Sequence, residues 1–330
     1  MNGVALVLAG GGGKGAYHIG VWKALREYGV DRNVSAVAGT SVGALNAALF
    51  LQGDYPLAEK IWLSLSHDKL LTPNPNRMVS VLVSLGLSRF FSMSQLLGFA
   101  TAFSQHGVFS REGMIQIIHE SLDLEYIGNS NILGIATCCK LPLLSPSYFR
   151  LNGCPSDRLQ SILLASSALP LIYGAEEIDG SKYVDGGLRD NVPIKPLYDE
   201  GYRQILVVHL NRETAIERSG FPDANIIEIL PQNHQGDFIN GTLDFSPEGA
   251  ARRIQEGYAD TVKILKPIYE MGVVQHKIQS ALHSMKAQEL QFSTSRQHLL
   301  DERASLKAAS QDLLANWGRK NDARHPARND

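Results

Sequence analysis

The first 53 residues constrain the fold most, because two apolar segments each run through a glycine-rich turn into a helical pattern. Val4–Ala9 is followed by a run of four glycines and a helix pattern over Gly15–Tyr28. The order repeats with Val34–Ala38, a second glycine turn and a helix pattern over Val42–Gln52. Strands that alternate with helices at this spacing form parallel sheets with helices on their faces. The sequence therefore predicts an α/β sandwich.

Later parts of the chain supply further strands and a globular composition. Five more apolar segments are predicted as strands: Ile132–Thr137, Tyr148–Leu151, Lys182–Val184, Ile205–Leu210 and Ile226–Leu230. Hydrophobic residues make up 44% and charged residues 19% of the 330, as in globular proteins. With 31 basic and 33 acidic residues, the chain lacks the basic surplus of a nucleic-acid-binding protein.

The cysteines and the N-terminal segment bear on the compartment. Cys138, Cys139 and Cys154 cannot form a disulfide framework, and their spacing suits no metal clip. The first apolar run is too short for a secretory signal and lacks a basic start. We expect a cytoplasmic protein without a metal or cofactor, and secretion without a signal is the alternative.

An apolar region over 78–103 lies outside the strand–helix alternation. It holds one charge, Arg89, and is interrupted by five serines and Gln95. A charge near its middle costs about 3 kcal/mol in a membrane, so two short helices are favoured over a span. They would form either a fixed cap over the core or a mobile lid that contacts lipid.

The C-terminal region has a helical pattern of a different kind. Ser246 and Pro247 suit the cap and first position of a helix. Pro267 predicts a break, residues 274–317 read as helical, and residues 318–330 as a frayed end. This appendage either packs on the chain or binds a partner, for which a second copy or a regulatory protein are the candidates.

The pentapeptide Gly39-Thr40-Ser41-Val42-Gly43 lies where a predicted strand meets a predicted helix. G-x-S-x-G in this context is typical of a nucleophile elbow, whose strained turn exposes the serine hydroxyl. The alternative is a glycine-rich turn with a serine helix cap. The context favours Ser41 as a nucleophile.

The other glycine-rich turn, over Gly10–Gly15, follows the first strand and opens the first helix. Its N–H groups can bind an anion, either a phosphate or an oxyanion. A dinucleotide site needs an acidic residue after the second strand, and a P-loop needs Ser or Thr after Lys14. Neither is present, so an oxyanion hole is favoured.

A carboxylate, Asp185, ends a short predicted strand in Tyr183-Val184-Asp185-Gly186-Gly187. Asp-Gly is common in ordinary turns. Together with the Ser41 turn, Asp185 becomes a candidate general base.

The three motifs, in this order, resemble the patatin-like phospholipase family, whose pattern is G-G-G-x-[KR]-G, G-x-S-x-G and D-G-[GA]. The segment 165–170 before the aspartate matches as well, as do Asn191 and Pro193 after it. The resemblance spans residues 4–210 and extends less firmly to 243–247. It implies a three-layer α/β/α sandwich with a mostly parallel central sheet, followed here by the helical appendage.

The resemblance also implies the activity and the roles of residues. It implies a phospholipase A-type lipid acyl hydrolase with Ser41 as nucleophile and Asp185 as base, acting transiently at a membrane surface. The expected oxyanion donors are Gly10, Gly11, Gly12, Gly13 and Val42. Motif support comes from Lys14, Gly15, Gly39, Gly43, Gly186 and Gly187. Lys14 either lies simply at the helix start or assists a lipid phosphate.

The domain boundaries follow from the resemblance and from the C-terminal pattern. Residues 1–210 form the catalytic domain with the 78–103 insertion, 211–270 complete it, and 271–330 are the helical extension.

Two rival functions remain open. The order Ser41, Asp185, His209 matches the triad of an α/β-hydrolase esterase, although the serine follows only the second strand. His209 and His18 read more simply as structural histidines. The second rival is a non-catalytic nucleotide- or phosphate-binding module, which would tolerate loss of Ser41. For a carboxylate base, the acidic limb of activity is expected below the pH range in which histidine titrates, unless burial raises the pKa of the aspartate.

Overall fold

The computed structural model describes residues 3–66, 70, 109–170 and 172–322. The described strands are β1 Val4–Leu8, β2 Val34–Thr40, β3 Leu133–Lys140, β4 Ser145–Arg150, β5 Glu176–Ile178, β6 Ser181–Asp185, β7 Gln204–Val208 and β8 Asn225–Ile229. The described helices are α1 Ala16–Glu27, α2 Val42–Gln52, α3 Tyr55–Ser64, α4 Glu112–Ser121, α5 Leu124–Gly128, α6 Ser156–Ser166, α7 Lys195–Asp199 and α8 Pro247–Asp322.

The strands form one sheet in the order β5-β6-β3-β2-β1-β7-β8, with β4 also paired to β3. The central pairs β3–β2, β2–β1, β1–β7 and β7–β8 are parallel, and the pairs of β3 with β4 and β6 and of β5 with β6 are antiparallel. Helices surround this mixed, mostly parallel sheet, and a long helix follows it. The predicted fold class is confirmed.

One edge of β3 brings two chain segments end to end. β2 pairs with Leu133–Thr137, and β6 continues along the same edge by pairing with Cys138–Lys140 in the opposite direction. Thr40 at the end of β2 is opposite Thr137, and Asp185 at the end of β6 is opposite Cys138, the next residue. The two predicted site turns therefore meet above the middle of the sheet.

Alternating residues of the central strands feed two cores, as expected for a sheet buried on both faces. Leu6 and Leu8 of β1 pack into the larger core, together with the buried sides of α1, α2, α3 and α6. Ala5 and Val7 point to the smaller core, which includes Leu197 of α7. This two-sided burial fixes the strand ends from which the site turns emerge.

Every strand predicted from the sequence is present with shifts of at most a few residues, whereas β5 and the helices α3 to α7 were not predicted. The predicted break at Pro267 is wrong, because α8 runs through that residue. A proline removes one backbone donor, which a long helix with many other hydrogen bonds tolerates. The start of α8 is as predicted, with the Gly249 N–H donating to Ser246 Oγ at 3.1 Å. The predicted insertion 78–103 lies outside the described residues.

The chain divides into two compact units, Met1–Lys266 and Pro267–Asp330. All side chains of the second unit from Pro267 to Trp317 are exposed. In the described ranges, no helix has the length and apolar character required to cross a membrane.

Candidate active site

Ser41 occupies a sharp turn between the end of β2 and the start of α2. Its φ of 56° and ψ of −126° lie in a region that side chains other than glycine rarely adopt. Such a conformation costs on the order of 1–3 kcal/mol, and it persists only when the surrounding structure imposes it. The residue is partly exposed.

The glycines on either side of Ser41 allow this turn to form. A Cβ on Gly39 would lie 2.1 Å from the Gly43 carbonyl oxygen, and one on Gly43 would lie 2.1 Å from the Leu8 carbonyl oxygen. Real Cβ atoms do not approach backbone this closely. Both glycines of G-x-S-x-G are therefore required for the close contact of α2 with β1 and β2.

Asp185 is 3% exposed and lies next to Ser41. Its carboxylate accepts the Gly187 N–H at 2.7 Å and lies close enough to the Ser41 hydroxyl for that group to stabilise its charged form. Burial raises the pKa of Asp185 to about 6, although the Ser41 hydroxyl and the Gly187 N–H act in the opposite direction. The carboxylate is thus ionised at neutral pH and is a stronger base than an exposed aspartate.

Ser166 holds the Ser41 turn against the neighbouring strand. Its Oγ accepts the Ser41 N–H at 3.0 Å and donates to the Thr137 carbonyl at 2.7 Å. Two residues further on, the Ala168 carbonyl accepts the Asp185 N–H at 2.9 Å. The end of α6 therefore positions both members of the pair. The sequence singled out the segment 165–170, but not this bridging role of Ser166.

Gly10 differs from the other predicted oxyanion donors. Its N–H already donates to the Asn191 carbonyl at 3.2 Å, and the Asn191 side-chain amide donates back to the Gly10 carbonyl. The prediction that Gly10 is a donor is therefore corrected. A Cβ at Gly10 would lie 2.4 Å from Asn191 Oδ1 and 3.2 Å from Ser41 Cβ. Gly10 instead lets the loop approach the serine.

The next three amides of the loop remain available. In the described part of the chain, the N–H groups of Gly11, Gly12 and Gly13 have no hydrogen-bond acceptor. Val42 is the first residue of α2, and the first amides of a helix have no intrahelical acceptor. These four N–H groups lie on two turns, and free donors at the start of a helix favour negative charge.

The glycine loop is supported from below by the segment before α8. Gly12 has a φ of 57°, and a Cβ there would lie 2.1 Å from the Thr242 carbonyl oxygen. A Cβ on Gly13 would lie 2.0 Å from the Asp244 carbonyl oxygen. Asp244 is in turn held by the fully buried Arg253, at 2.8 Å. The family-like stretch 243–247 thus packs directly on the loop.

A buried polar cluster ties the loop to α2 and α3. The Asn46 amide donates to the Gly15 carbonyl at 2.9 Å and to His18 Nδ1 at 3.1 Å, while its Oδ1 accepts the Trp62 N–H at 2.9 Å. Because the indole can only donate, this network fixes the Asn46 orientation, and His18 Nδ1 must accept. His18 is therefore neutral, with its proton on Nε2, and burial lowers its pKa to about 3. Asn46 was not predicted from the sequence, where the available signal was an amide in the middle of the apolar helix 42–52.

His209 is not brought to Ser41. It follows β7, two strands from β2 in the sheet, and its Nε2 contacts Glu228 of β8 at 3.0 Å. Burial lowers its pKa, and the Glu228 carboxylate acts in the opposite direction. The structure pairs this histidine with a glutamate on the far side of β1.

Lys14 lies at the end of the glycine loop with only 6% of its surface exposed. Its ammonium donates to Asn211 Oδ1 at 2.9 Å. Burial lowers its pKa, and the nearby Arg253 charge adds to the effect. The side chain points into the protein beneath the loop, as a support for it.

The site therefore contains a strained serine next to a buried carboxylate, and two turns with backbone N–H groups that have no acceptor among the described residues. In the described ranges, no group of three or more His, Cys, Asp or Glu side chains could hold a metal ion. The arrangement can move a proton from the serine to the aspartate and stabilise negative charge on an adjacent atom.

Comparison with known proteins gives consistent matches. The family model described as patatin-like phospholipase matches residues 6–198. The lysophospholipase NTE1 of Cryptococcus neoformans is 25% identical over 213 residues, which covers 62% of this chain and 11% of the fungal protein. An NTE family protein of Mycobacterium tuberculosis is 25% identical over 212 residues, which covers 64% of this chain and 50% of that protein. VipD from Legionella pneumophila has a TM-score of 0.40 at 15% identity, with 81% of this chain and 67% of VipD covered.

The matches are long within this chain and short within some relatives. The chain spans about a tenth of the fungal protein and half of the mycobacterial one. The family model covers more than half of the present chain, and its range includes all three motifs identified in the sequence. This chain belongs to the patatin-like phospholipase family.

Proposed function

We propose that this protein is a lipid acyl hydrolase that cleaves ester-linked fatty acids from phospholipids with a Ser41–Asp185 dyad. One observation supports the proposal above the others. A strained, partly exposed serine lies next to a buried carboxylate whose pKa is raised to about 6. Family membership and the lysophospholipase name of the fungal relative favour a lipid ester as the substrate.

The first half of the reaction forms an acyl-enzyme. Ionised Asp185 accepts the hydroxyl proton as Ser41 Oγ attacks the ester carbonyl carbon. The carbonyl oxygen becomes an oxyanion in a tetrahedral intermediate. When this collapses, the bond to the alcohol oxygen breaks, and the proton on Asp185 passes to the departing lysolipid or alcohol. Ser41 then bears the fatty acyl group, and Asp185 is ionised again.

The oxyanion is assigned to backbone donors. The N–H groups of Gly11, Gly12, Gly13 and Val42 are the candidates, since the described residues offer them no other acceptor. Donors fixed by the fold need no reorganisation as charge develops. Removing one such donor in other enzymes lowers turnover on the order of 10²–10³-fold.

The second half releases the fatty acid. Asp185 takes a proton from a water molecule, whose oxygen attacks the acyl carbonyl carbon. The same donors stabilise the second oxyanion, and the Ser41 oxygen leaves with the proton from Asp185. One ester and one water are thereby converted to an alcohol and a fatty acid, with the enzyme regenerated.

We also propose a domain assignment and a location for the enzyme. We assign the catalytic domain to residues 1–210, completed by 211–270, because the loop that holds the glycines packs on 242–244. A phospholipid substrate requires transient contact with a membrane surface. We place the enzyme in the cytoplasm, peripheral to membranes during turnover.

Lipidomic analysis tests the proposal. A mixed phospholipid extract is incubated with the wild type and with Ser41→Ala, and fatty acids and lysolipids are measured by mass spectrometry. We expect equimolar fatty acid and lysolipid with the wild type only. A phosphate- or nucleotide-binding module would instead release neither product and would keep its ligand in Ser41→Ala.

A further inference from the structure

The second unit presents a row of large apolar side chains at a strict spacing of seven residues. Each member exposes between 55% and 72% of its surface. The row consists of Met271, Ile278, Met285, Phe292, Leu299, Leu306 and Leu313. It extends over 43 residues of α8, or about 60 Å of helix.

The period identifies the kind of surface that can cover this row. An ideal α-helix has 3.6 residues per turn, so a seven-residue row drifts by about 20° per repeat around the helix. Over six repeats, the row would turn about a third of the way around a straight helix and away from any flat surface. A second helix that coils around the first in a left-handed supercoil keeps contact with all seven side chains.

We infer that the helix face carrying this row packs against the same face of a second copy of this chain, in an antiparallel coiled coil. In a heptad, the row occupies the inner position a, and the residues three further on occupy the inner position d. Those residues are mostly small or uncharged: Val274, Ala281, Gln288, Ser295, Glu302, Ala309 and Asn316. The other assignment places Glu289, Arg296 and Arg303 inside, and is therefore rejected.

If the rows of the two copies overlap along their full length, only one antiparallel register is possible. Each large residue then faces a d residue of the second copy, so that Phe292 faces Ser295, Ile278 faces Ala309 and Leu313 faces Val274. Large residues opposite smaller ones are the arrangement that fills a helix interface without overpacking.

The flanking charges agree with this register. In an antiparallel coiled coil, each outer position of the heptad faces the equivalent outer position of the second copy. Lys277 thereby meets Asp312 of the second copy, and Glu289 meets Arg296 of the second copy. The two-fold axis repeats both pairs, which gives four opposite-charge contacts. Among the described side chains, no two residues of like charge face each other at these outer positions.

A parallel, in-register pair does not share these contacts. It would place Glu302 against Glu302 of the second copy at an inner position, and Lys277 beside Leu282. Asp312 would lie beside Trp317. The charge pattern thus distinguishes the two orientations.

The contact area is adequate for a dimer. A strip about 60 Å long and one helix diameter, about 10 Å, wide buries on the order of 600 Å² on each chain. The total of about 1,200 Å² reaches the lower end of stable interfaces. We therefore expect a dimer that dissociates on dilution.

A charge-exchange experiment on the full chain tests both partner and orientation. Lys277→Glu/Arg296→Glu makes all four flanking positions acidic, and Glu289→Lys/Asp312→Lys makes them all basic. We expect the wild type to sediment as a dimer of the 36.1 kDa chain, each variant alone as a monomer, and their equimolar mixture as a dimer. Variants that dimerise alone as well as the wild type would overturn the antiparallel register.

A second pair of variants tests the row itself. Phe292→Asn lies in the row and should shift the dimer to monomer, whereas Leu290→Asn, equally exposed but on the outer face, should not. Circular dichroism verifies that both variants remain helical. A wild type that stays monomeric at its highest soluble concentration, or that binds lipid vesicles through Phe292 as a monomer, would refute the inference.

Discussion

Two buried titratable side chains near the sheet, His18 and Asp185, differ in their charge at neutral pH. His18 is enclosed by Asn46 and by the Val208 carbonyl, and burial lowers its pKa to about 3, so that it remains neutral at every physiological pH. Asp185 is just as buried, yet its pKa of about 6 leaves it ionised at neutral pH. Burial disfavours the charged form in both residues.

The difference lies in what surrounds each group. The His18 cluster joins three elements through bonds that saturate the Asn46 side chain, so its contribution is to structure. Asp185 accepts a hydrogen bond from one backbone amide and lies next to a serine that is itself partly exposed. A base that must take a proton needs this second arrangement, because its pKa then lies near the working pH.

The largest expected effect is that of Asp185→Asn on turnover. The substitution preserves shape and removes the base, and turnover should fall on the order of 10²–10⁴-fold. Asp190→Asn is the matched control, since Asp190 is also a carboxylate with a raised pKa, but it is hydrogen-bonded to Tyr148. Hydrolysis of a soluble ester by the two purified variants measures the difference. Equal losses in both would contradict the assignment of Asp185 as base.

The next effect is the dependence of activity on pH. Because Asp185 must be ionised to accept a proton, kcat/KM should be constant above about pH 7 and fall tenfold per unit below the pKa of about 6. The residual activity of Asp185→Asn should lack this limb. An unchanged limb in that variant would assign the titration to another group.

The free energy of unfolding should depend on the same ionisation, but it is larger when Asp185 is protonated, whereas activity requires the ionised form. The pKa is higher in the folded state than in the unfolded state, so folding binds a proton between about pH 4 and pH 6. The free energy of unfolding of the wild type should therefore fall by about 3 kcal/mol as pH rises through that window. Denaturant unfolding should show a smaller loss for Asp185→Asn across the same range.

A smaller effect is expected from Ser166→Ala. The Ser41 N–H and the Thr137 carbonyl would lose their shared partner, which loosens the strained turn. We expect kcat to fall about tenfold with KM nearly unchanged, and stability to fall by about 1–2 kcal/mol. Ser167→Ala is the control, since that hydroxyl donates within its own helix to the Leu163 carbonyl. A change in KM alone would argue against a positioning role.

The smallest effect on chemistry should come from the His18 cluster. Asn46→Ala leaves the Trp62 N–H without its acceptor and should destabilise the protein by about 3 kcal/mol. His18→Ala should keep activity within about tenfold of the wild type, provided that it remains folded. Thermal unfolding and ester hydrolysis separate the two effects. Loss of turnover without loss of stability would give His18 a chemical role.

The sequence predicted the parts of this site better than their arrangement. Strand–turn–helix order and local glycine patterns identified Ser41, Asp185 and the loop, because these signals are local. The contact between Ser41 and Asp185 depends on β2 and β6 sharing one edge of β3, which no local pattern encodes.

Other differences have the same origin. Gly10 could not be separated from Gly11 until its amide was seen to donate to Asn191, which lies 181 positions away in the chain. The raised pKa of Asp185 likewise arises from burial by distant segments. The short strand β5 exists only through its pairing with β6, and its acidic residues gave no strand pattern.

Labelling by a fluorophosphonate tests the central claim most directly, because it reports the reactivity of Ser41 without requiring the physiological lipid. The labelling rate, with peptide mapping of the adduct, is measured for the wild type, Asp185→Asn and His209→Ala. We expect one adduct on Ser41, labelling at least 100-fold slower in Asp185→Asn, and a wild-type rate in folded His209→Ala. A folded His209→Ala variant as unreactive as Ser41→Ala would contradict the dyad and establish a triad instead.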